Sequence, residues 1–561
     1  MFTDLLARLT LVKQGDFLSR WGGFLSSSRW TLAAVLLLIM GLAVVAPLSP
    51  MASNRFHHDE AVYSAWALDI VSGRDVMVSG SPVDKPPLFM YVQALSFLLF
   101  GATETAARLP SLVAHVTSVL LIYQLGRYLY RRGTGLLAAF LWAASPFAIL
   151  FAATALTDSL MVMFVLAACL AAIRRREGWA GALLGLAVMT KQQGILFLPL
   201  IAGLGRYSTR NAWKRFILGL AWMVCLALIW DVARGRHPGF LEQSLLSYGS
   251  LSVPLDSVWQ RLIRFVGWLQ YATASRPLNY VLIIGVTVLL LGDGLILFLR
   301  HCRPTRIGKM ILRVFCPDDT VEGGGAETDH APQKKGDVVY HDMVIGGFLL
   351  LFLVGHAFVG FQVWDRYMLG AVPLLLFLLA RVMTLPWNVL HECGTWLAPK
   401  AVVSSGSCPV CNRKPWLSTA YIVVVLALLS STPASIQDAA ASRFPIGGDH
   451  GAYDGIDQLV AYFKTVPENT TFYHRWLGPH WRFYLWGSPY DFCMWTSPDD
   501  LAAQASARPG ARRYIVFPSW RSATEARLAL KRQGLALREV FRTLRRDGSV
   551  SFIVYRIEEV E

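Results

Sequence analysis

The sequence predicts a mainly α-helical, polytopic membrane protein with about eleven transmembrane helices, interfacial helices in its first exterior loop and a C-terminal soluble α/β domain. Three observations carry this. Of 561 residues, 54% are apolar and 16% charged, with a mean hydropathy of +0.44, outside the range of soluble proteins. Several apolar runs approach the roughly 20 residues that cross a hydrocarbon core. The basic excess, a net charge of +15, falls in short blocks beside those runs. That is the pattern of cytoplasmic loops, and it argues against a nucleic-acid partner.

Placing the basic blocks at 8–29, 127–132, 174–176, 206–215, 300–313 and 400–414 in the cytoplasm fixes the topology, with the N-terminus inside. The first run, 32–48, lacks a small-residue cleavage site and is expected to stay as span one. Residues 60–71 alternate apolar and polar positions at helical spacing, which predicts a helix in the outer interface. The apolar stretch 86–100 is short for a crossing, and crossing would turn Arg127 to Arg132 outward, so it too is read as interfacial. Spans follow at 106–128, 135–153 and 160–173. The stretch 178–207 is broken at Thr190-Lys191-Gln192-Gln193-Gly194 and has basic flanks. It predicts two short segments meeting at an apex toward the outer leaflet. Runs at 216–232, 278–299, 344–360, 369–383 and 416–431 complete the count in a multi-pass plasma-membrane protein whose C-terminus lies outside. The exterior stretch 234–276, with His237, Tyr248, Trp259, Arg261, Arg264 and Trp268, is read as interfacial anchoring in preference to a gate.

Residues 1–433 form the transmembrane domain in this reading, and residues 434–561 the exterior soluble domain. In the latter, helices are expected at 455–464, 497–507 and 522–533, and strands at 470–474, 514–518 and 550–556. Its aromatic group, Tyr473, Trp476, His480, Trp481, Tyr484 and Trp486, is read as core and membrane-facing contacts in preference to a surface that binds glycan or acceptor. Cys169 and Cys225 count as small apolar residues of spans. Cys302 and Cys316 lie in a cytoplasmic loop, and Cys493 stands alone outside. His391 and Cys393 precede Cys408-Pro409-Val410-Cys411 in another cytoplasmic loop, and these four are candidate ligands of a structural zinc, set against unpaired loop cysteines.

The chemically unusual residues fall on one side of this topology: Asp59, Glu60, Asp84, Lys85, Asp158, Lys191 and Trp364-Asp365-Arg366-Tyr367. A single charge at a span end is as readily an anchor, but their coincidence points to a reaction centre facing one side of the bilayer.

In series, His58-Asp59-Glu60-Ala61, Asp84-Lys85-Pro86-Pro87, Ala107-Arg108-Leu109-Pro110-Ser111, Leu156-Thr157-Asp158, Met189-Thr190-Lys191 and Arg366-Tyr367 resemble the polyprenyl-phosphate-dependent glycosyltransferases of the GT-C fold. Within that class the similarity is to the aminoarabinose transferases acting on lipid A and the protein O-mannosyltransferases, and it spans residues 30–384. The resemblance implies a sugar donor carried on a lipid phosphate, an acceptor lipid, glycan or protein on the outer face, and inversion at the anomeric carbon. Asp59 is the expected general base. Lys85 and Arg366, with Lys191 behind them, are expected to stabilise the departing phosphate. Glu60, Asp84, Asp158 and Tyr367 are further donor- or substrate-binding candidates. Some relatives use a divalent ion, toward which His58 and Asp84 point, but no dense ligand cluster supports one and a catalytic metal stays open. Gln192-Gln193 departs from the glycine common after the lysine. The rival classes are a transporter or lipid-linked-sugar flippase, for which only the Lys191 break speaks, and a silent assembly subunit on the same fold.

Overall fold

A computed structural model describes residues 29–248, 253–301, 335–360, 362–397, 415–444 and 451–560. The chain is helical up to residue 463 and then builds a small mixed sheet. Five helices among the described residues are long and apolar enough to cross a membrane: Trp30–Ser53, Glu104–Leu129, Arg210–Ala233, Arg276–Phe298 and Asp337–Phe358. A sixth crossing comes from the pair Arg132–Ala143 and Pro146–Ala152 if it is one span, bent by 57°. The bend follows from Pro146, which has no amide hydrogen to donate and opens a fresh helix. Four shorter apolar helices complete the bundle: Leu88–Phe100, Asp158–Ile173, Gln192–Gly205 and Val372–Thr384.

The helices that matter for the site are α1 (Arg29–Ser53), α2 (His58–Val71), α3 (Leu88–Phe100), α4 (Glu104–Leu129), α5 (Arg132–Ala143), α6 (Pro146–Ala152), α7 (Asp158–Ile173), α8 (Glu177–Thr190), α9 (Leu198–Gly205), α10 (Arg210–Ala233) and α11 (Phe240–Tyr248). The break at Lys191 is real: α8 stops at Thr190 and a 3₁₀ turn, Gln192–Phe197, leads into α9. Helices α8 and α10 lie almost backbone to backbone, because Gly181 faces the carbonyl of Phe216 and Gly219 faces that of Gly178. A Cβ on Gly181 would sit 1.9 Å from the Phe216 oxygen. Such close approach is how membrane helices gain packing without a hydrophobic driving force.

Beyond them lie α12 (Leu255–Trp268), α13 (Arg276–His301), α14 (Lys335–Phe358), α15 (Val372–Leu397) and α16 (Pro415–Ala440). The 234–276 stretch thus carries two helices, and Arg261 ties it to the end of α14, donating to Ala357 O at 3.1 Å and Val359 O at 2.6 Å. Between α13, α14 and α15, Asp342 accepts from Tyr130 at 2.5 Å and meets Arg381 at 3.5 Å, with Asp293 alongside. Cys408 and Cys411, and the side chains of His391 and Cys393, lie outside the described residues.

The terminal part has α17 (Ile456–Phe463), β1 (Thr471–His474), α18 (Gly478–Tyr484), β2 (Asp491–Met494), α19 (Pro498–Ser506), β3 (Arg513–Pro518), α20 (Thr524–Arg532), β4 (Leu535–Leu544) and β5 (Val550–Glu559). The strand order is β2-β1-β3-β5-β4, parallel across β2, β1 and β3 and antiparallel beyond. Alternation along β3 sends Tyr514 and Val516 to one face, against Phe463, Phe472 and Trp481, and Ile515 and Phe517 to the other, against Leu501 and Leu530. Strands β2 and β4 and helix α18 went unforeseen. Strand β2 has only four residues and β4 carries a bulge at Glu539/Phe541, so neither shows clean period-2 alternation.

Candidate active site

The site begins with a helix cap. His57 accepts the Asp59 amide through Nδ1 at 3.0 Å, and its own amide donates to Glu60 Oε2 at 2.9 Å, a reciprocal capping box that fixes the first turn of α2. Asp59 and Glu60, adjacent in sequence, then point to different fates.

Glu60 turns inward. Arg108 Nε donates to it at 3.0 Å, and the Ala155 amide donates at 2.7 Å, with both side chains nearly fully buried. Arg108 also donates to the carbonyls of Met51 at 2.7 Å and Asn54 at 2.9 Å. The pair therefore bolts the end of α1, the start of α2, α4 and the turn before α7 into one frame. Glu60, expected among the substrate-binding residues, is instead a framework residue whose oxygens are already taken by a guanidinium and two amides.

Asp59 faces the other way and meets Arg366, Oδ2 to Nη1, at 2.5 Å. Arg366 and Tyr367 sit on a 3₁₀ turn, Asp365–Gly370, that leads into α15. Two more carboxylate–cation pairs stand close by. Lys191, at the break below α8, meets Asp158, the first residue of α7, at 2.6 Å, both side chains 2% exposed. Asp84 and Lys85 pair with each other in the loop before α3. Lys191 Nζ lies 4.8 Å from the centre of the Tyr367 ring. The pairs feel one another: Lys85 acts on both Asp59 and Lys191, Arg366 acts on Lys191, and Asp158 acts on Arg366. Asp59, Asp84, Lys85, Asp158, Lys191, Arg366 and Tyr367, spread over some 300 positions, are thus brought together.

Electrostatics follow from that crowding. Burial alone would push the Asp59 carboxyl up, but Arg366, helped by His57 and Lys85, holds it well below the usual carboxylate range. Burial works against the Arg366 charge, and Asp59 more than restores it, so Arg366 stays above its ordinary value. Each cation of the cluster has a carboxylate partner, yet Arg366 Nε is buried with no acceptor among the described residues. A buried donor left unmet costs stability, on the order of 1–3 kcal/mol.

Two residues that the motifs did not single out as site members join the cluster. Gln192 donates to Asp84 O at 3.0 Å and to Ser244 Oγ at 2.7 Å, so the Lys191 break, the Lys85 loop and α11 are tied together. Gln192 was visible only as a departure from glycine. Ser244, in the stretch read as interfacial anchoring, gave no signal. Asp84 is paired with Lys85, and among the described residues no group of three His, Cys, Asp or Glu side chains that could hold a metal forms.

The profile of the dolichyl-phosphate-mannose-protein mannosyltransferase family matches residues 84–232. That stretch contains Lys85, Asp158 and Lys191. YycA of Bacillus subtilis (strain 168), provisionally named a mannosyltransferase, is 31% identical over 165 residues, 27% of this chain and 24% of YycA. YkcB of the same organism, similarly named, is 38% identical over 86 residues, 15% of this chain and 12% of YkcB. The chain thus spans a quarter or less of these relatives' length. Among solved structures, ArnT from Cupriavidus metallidurans in the apo state superposes with a TM-score of 0.58 at 16% identity, covering 93% of this chain and 98% of ArnT. ArnT bound to undecaprenyl phosphate superposes with a TM-score of 0.56 at the same identity, over 92% of this chain and 97% of ArnT. Over nearly its whole length the chain therefore shares the fold of ArnT, the GT-C fold, and its residues 84–232 are similar to the dolichyl-phosphate-mannose-protein mannosyltransferase family.

Proposed function

We propose that this protein is an inverting glycosyltransferase that moves a sugar from a polyprenyl-phosphate carrier to a hydroxyl of an acceptor on the outer face of the membrane. The observation that carries the proposal is the meeting of Lys85, Lys191 and Arg366 beside Asp59, with Arg366 Nε lacking an acceptor among the described residues. Three cations and three carboxylates gathered at one place, with Asp59 the carboxylate held by Arg366, suit a reaction in which negative charge grows on a leaving phosphate while a hydroxyl gives up its proton. The family match and the fold support the same reading, as does undecaprenyl phosphate bound to ArnT.

In this mechanism the donor phosphate engages Lys85 and Arg366, and an oxygen of the phosphate satisfies Arg366 Nε. Drawing the guanidinium toward phosphate weakens its hold on Asp59, whose carboxyl then rises from its depressed value and becomes a better base. The acceptor oxygen attacks the anomeric carbon as its proton passes to Asp59. The bond from that carbon to the phosphate oxygen breaks, and the electron pair leaves with the polyprenyl phosphate. Phosphate needs no separate acid to depart. Lys191, held by Asp158, keeps positive potential behind the phosphate.

The flippase reading draws on the break at Lys191 and on the buried Asp293 and Asp342 beside Arg381, between α13, α14 and α15. One experiment separates the two. Purified full-length protein in nanodiscs is offered a panel of polyprenyl-phosphate sugars with acceptor lipids, glycans and peptides, Asp59→Asn beside wild type, and donor consumption is read by mass spectrometry. The transferase consumes donor, and Asp59→Asn loses about 100-fold or more. A flippase leaves every donor intact, and normal turnover by Asp59→Asn moves the base elsewhere.

A further inference from the structure

The short helix α18 belongs to the terminal α/β part, yet much of it is spent on the catalytic turn. Its Trp481 faces the domain's own core against Phe463 and Phe472, whereas His480, Arg482, Phe483 and Tyr484 reach the loops around α2. His480 is fully buried and its Nε2 lies 3.2 Å from the carbonyl of Phe56, three residues before Asp59. A carbonyl only accepts, so Nε2 carries the hydrogen. Burial keeps the ring neutral by pushing its pKa down to about 3, which suits that role. The Phe56 amide faces the Tyr484 hydroxyl at 3.4 Å, and the Phe56 ring packs on Phe483 with centroids 4.9 Å apart.

Arg482 reaches further. It ion-pairs with Asp69, near the far end of α2, and also donates to Ser81 Oγ at 3.3 Å, in the loop that carries Asp84 and Lys85. Asp69 is buried, with a side-chain exposure of 3%. One seven-residue helix thus grips the residue before the catalytic turn, the other end of the same helix, and the loop that presents the phosphate-binding lysine.

We propose that α18, acting through His480 and Arg482, is the positioning element that sets the Asp59 turn and the Lys85 loop relative to each other, and that these two are positioning residues for transfer. The proposal rests on Asp59 and Lys85 acting as described above. A base and a phosphate clamp carried on separate segments lose rate steeply when misplaced, by about 100-fold for an error near 1 Å. Nothing in α18 need touch the sugar for this to hold.

The test uses full-length protein in nanodiscs with Arg482→Ala, Arg482→Lys and His480→Phe, the last keeping an aromatic ring while removing the donor. Arg482→Ala is expected to lower kcat about 10-fold or more with donor and acceptor KM within about twofold, and Arg482→Lys to recover most of it. Amide hydrogen exchange across residues 56–60 and 79–85 is expected to quicken about 10-fold in Arg482→Ala and His480→Phe. Wild-type kcat with wild-type exchange in Arg482→Ala overturns the proposal, as does a loss confined to KM. Because Arg482 is half exposed, its variants are the ones expected to fold if His480→Phe does not. If wild type transfers no sugar, the transferase reading fails on its own, and the exchange rates still decide whether α18 holds the two segments.

Discussion

Asp59 Oδ2 and Arg366 Nη1 meet at 2.5 Å although 307 residues separate them. The contact joins the first turn after span one to the turn before α15, and it makes the base of the proposed reaction also the counter-ion of its phosphate clamp. Asp59 is thereby kept ionised when no donor is bound, and its basicity becomes linked to where Arg366 points.

Removing that partner has a definite sign. Burial raises the Asp59 carboxyl and Arg366 lowers it, so Arg366→Gln leaves burial less opposed and the carboxyl rises. In wild type the acid limb of kcat/KM owed to Asp59 lies below the ordinary carboxylate range. In Arg366→Gln that limb moves upward and donor KM increases. Initial rates across a pH series measure both. An unmoved acid limb in an otherwise active Arg366→Gln enzyme argues that Asp59 is not the titrating base.

Asp59 and its neighbour Glu60 are predicted to fail in different ways. Arg108→Leu strands the buried Glu60 carboxylate among the ends of α1, α2 and α4, a change worth about 3–5 kcal/mol of stability. Thermal unfolding in detergent is expected to show the loss directly. Asp59→Asn, at a partly exposed position, should unfold near the wild-type temperature while losing turnover.

The Lys191–Asp158 pair lends itself to a double-variant cycle. Lys191→Met leaves Asp158 charged and buried, and Asp158→Asn leaves Lys191 so; each is expected to destabilise by about 3 kcal/mol or more. The double variant should regain most of that stability, because no buried charge remains unpaired. Its transfer rate should stay low, since positive potential behind the phosphate is gone. Recovery of both stability and rate would make the pair purely structural.

Gly181→Val tests how the Lys191 break is held. The new side chain must displace the Phe216 backbone from α8, and the helix that ends at Thr190 shifts with it. The expected outcome is a lowered melting temperature together with a raised donor KM, whereas Gly133→Ala, in open space, should leave both unchanged.

Much of this protein was determined by local sequence. Apolar runs marked the helices because a bilayer admits only segments that satisfy their own backbone, and the break at Thr190-Lys191-Gln192 showed as an interruption in such a run. The helices at 456–463, 498–506 and 524–532 and the strand at 513–518 were legible from periodicity and caps such as Ser497. The tertiary structure alone decided what each charge does. Asp59 and Glu60 look alike as adjacent carboxylates, but a helix turn separates successive side chains by about 100°, so one faces the cluster and the other faces Arg108. Ser244 and Arg482 carried no motif, because a hydrogen bond across 50 or 400 positions leaves no periodic trace in the chain. Sequence placed charges at the ends of helices; packing chose their partners, since burial at low dielectric leaves a charge stable only where another segment brings its opposite.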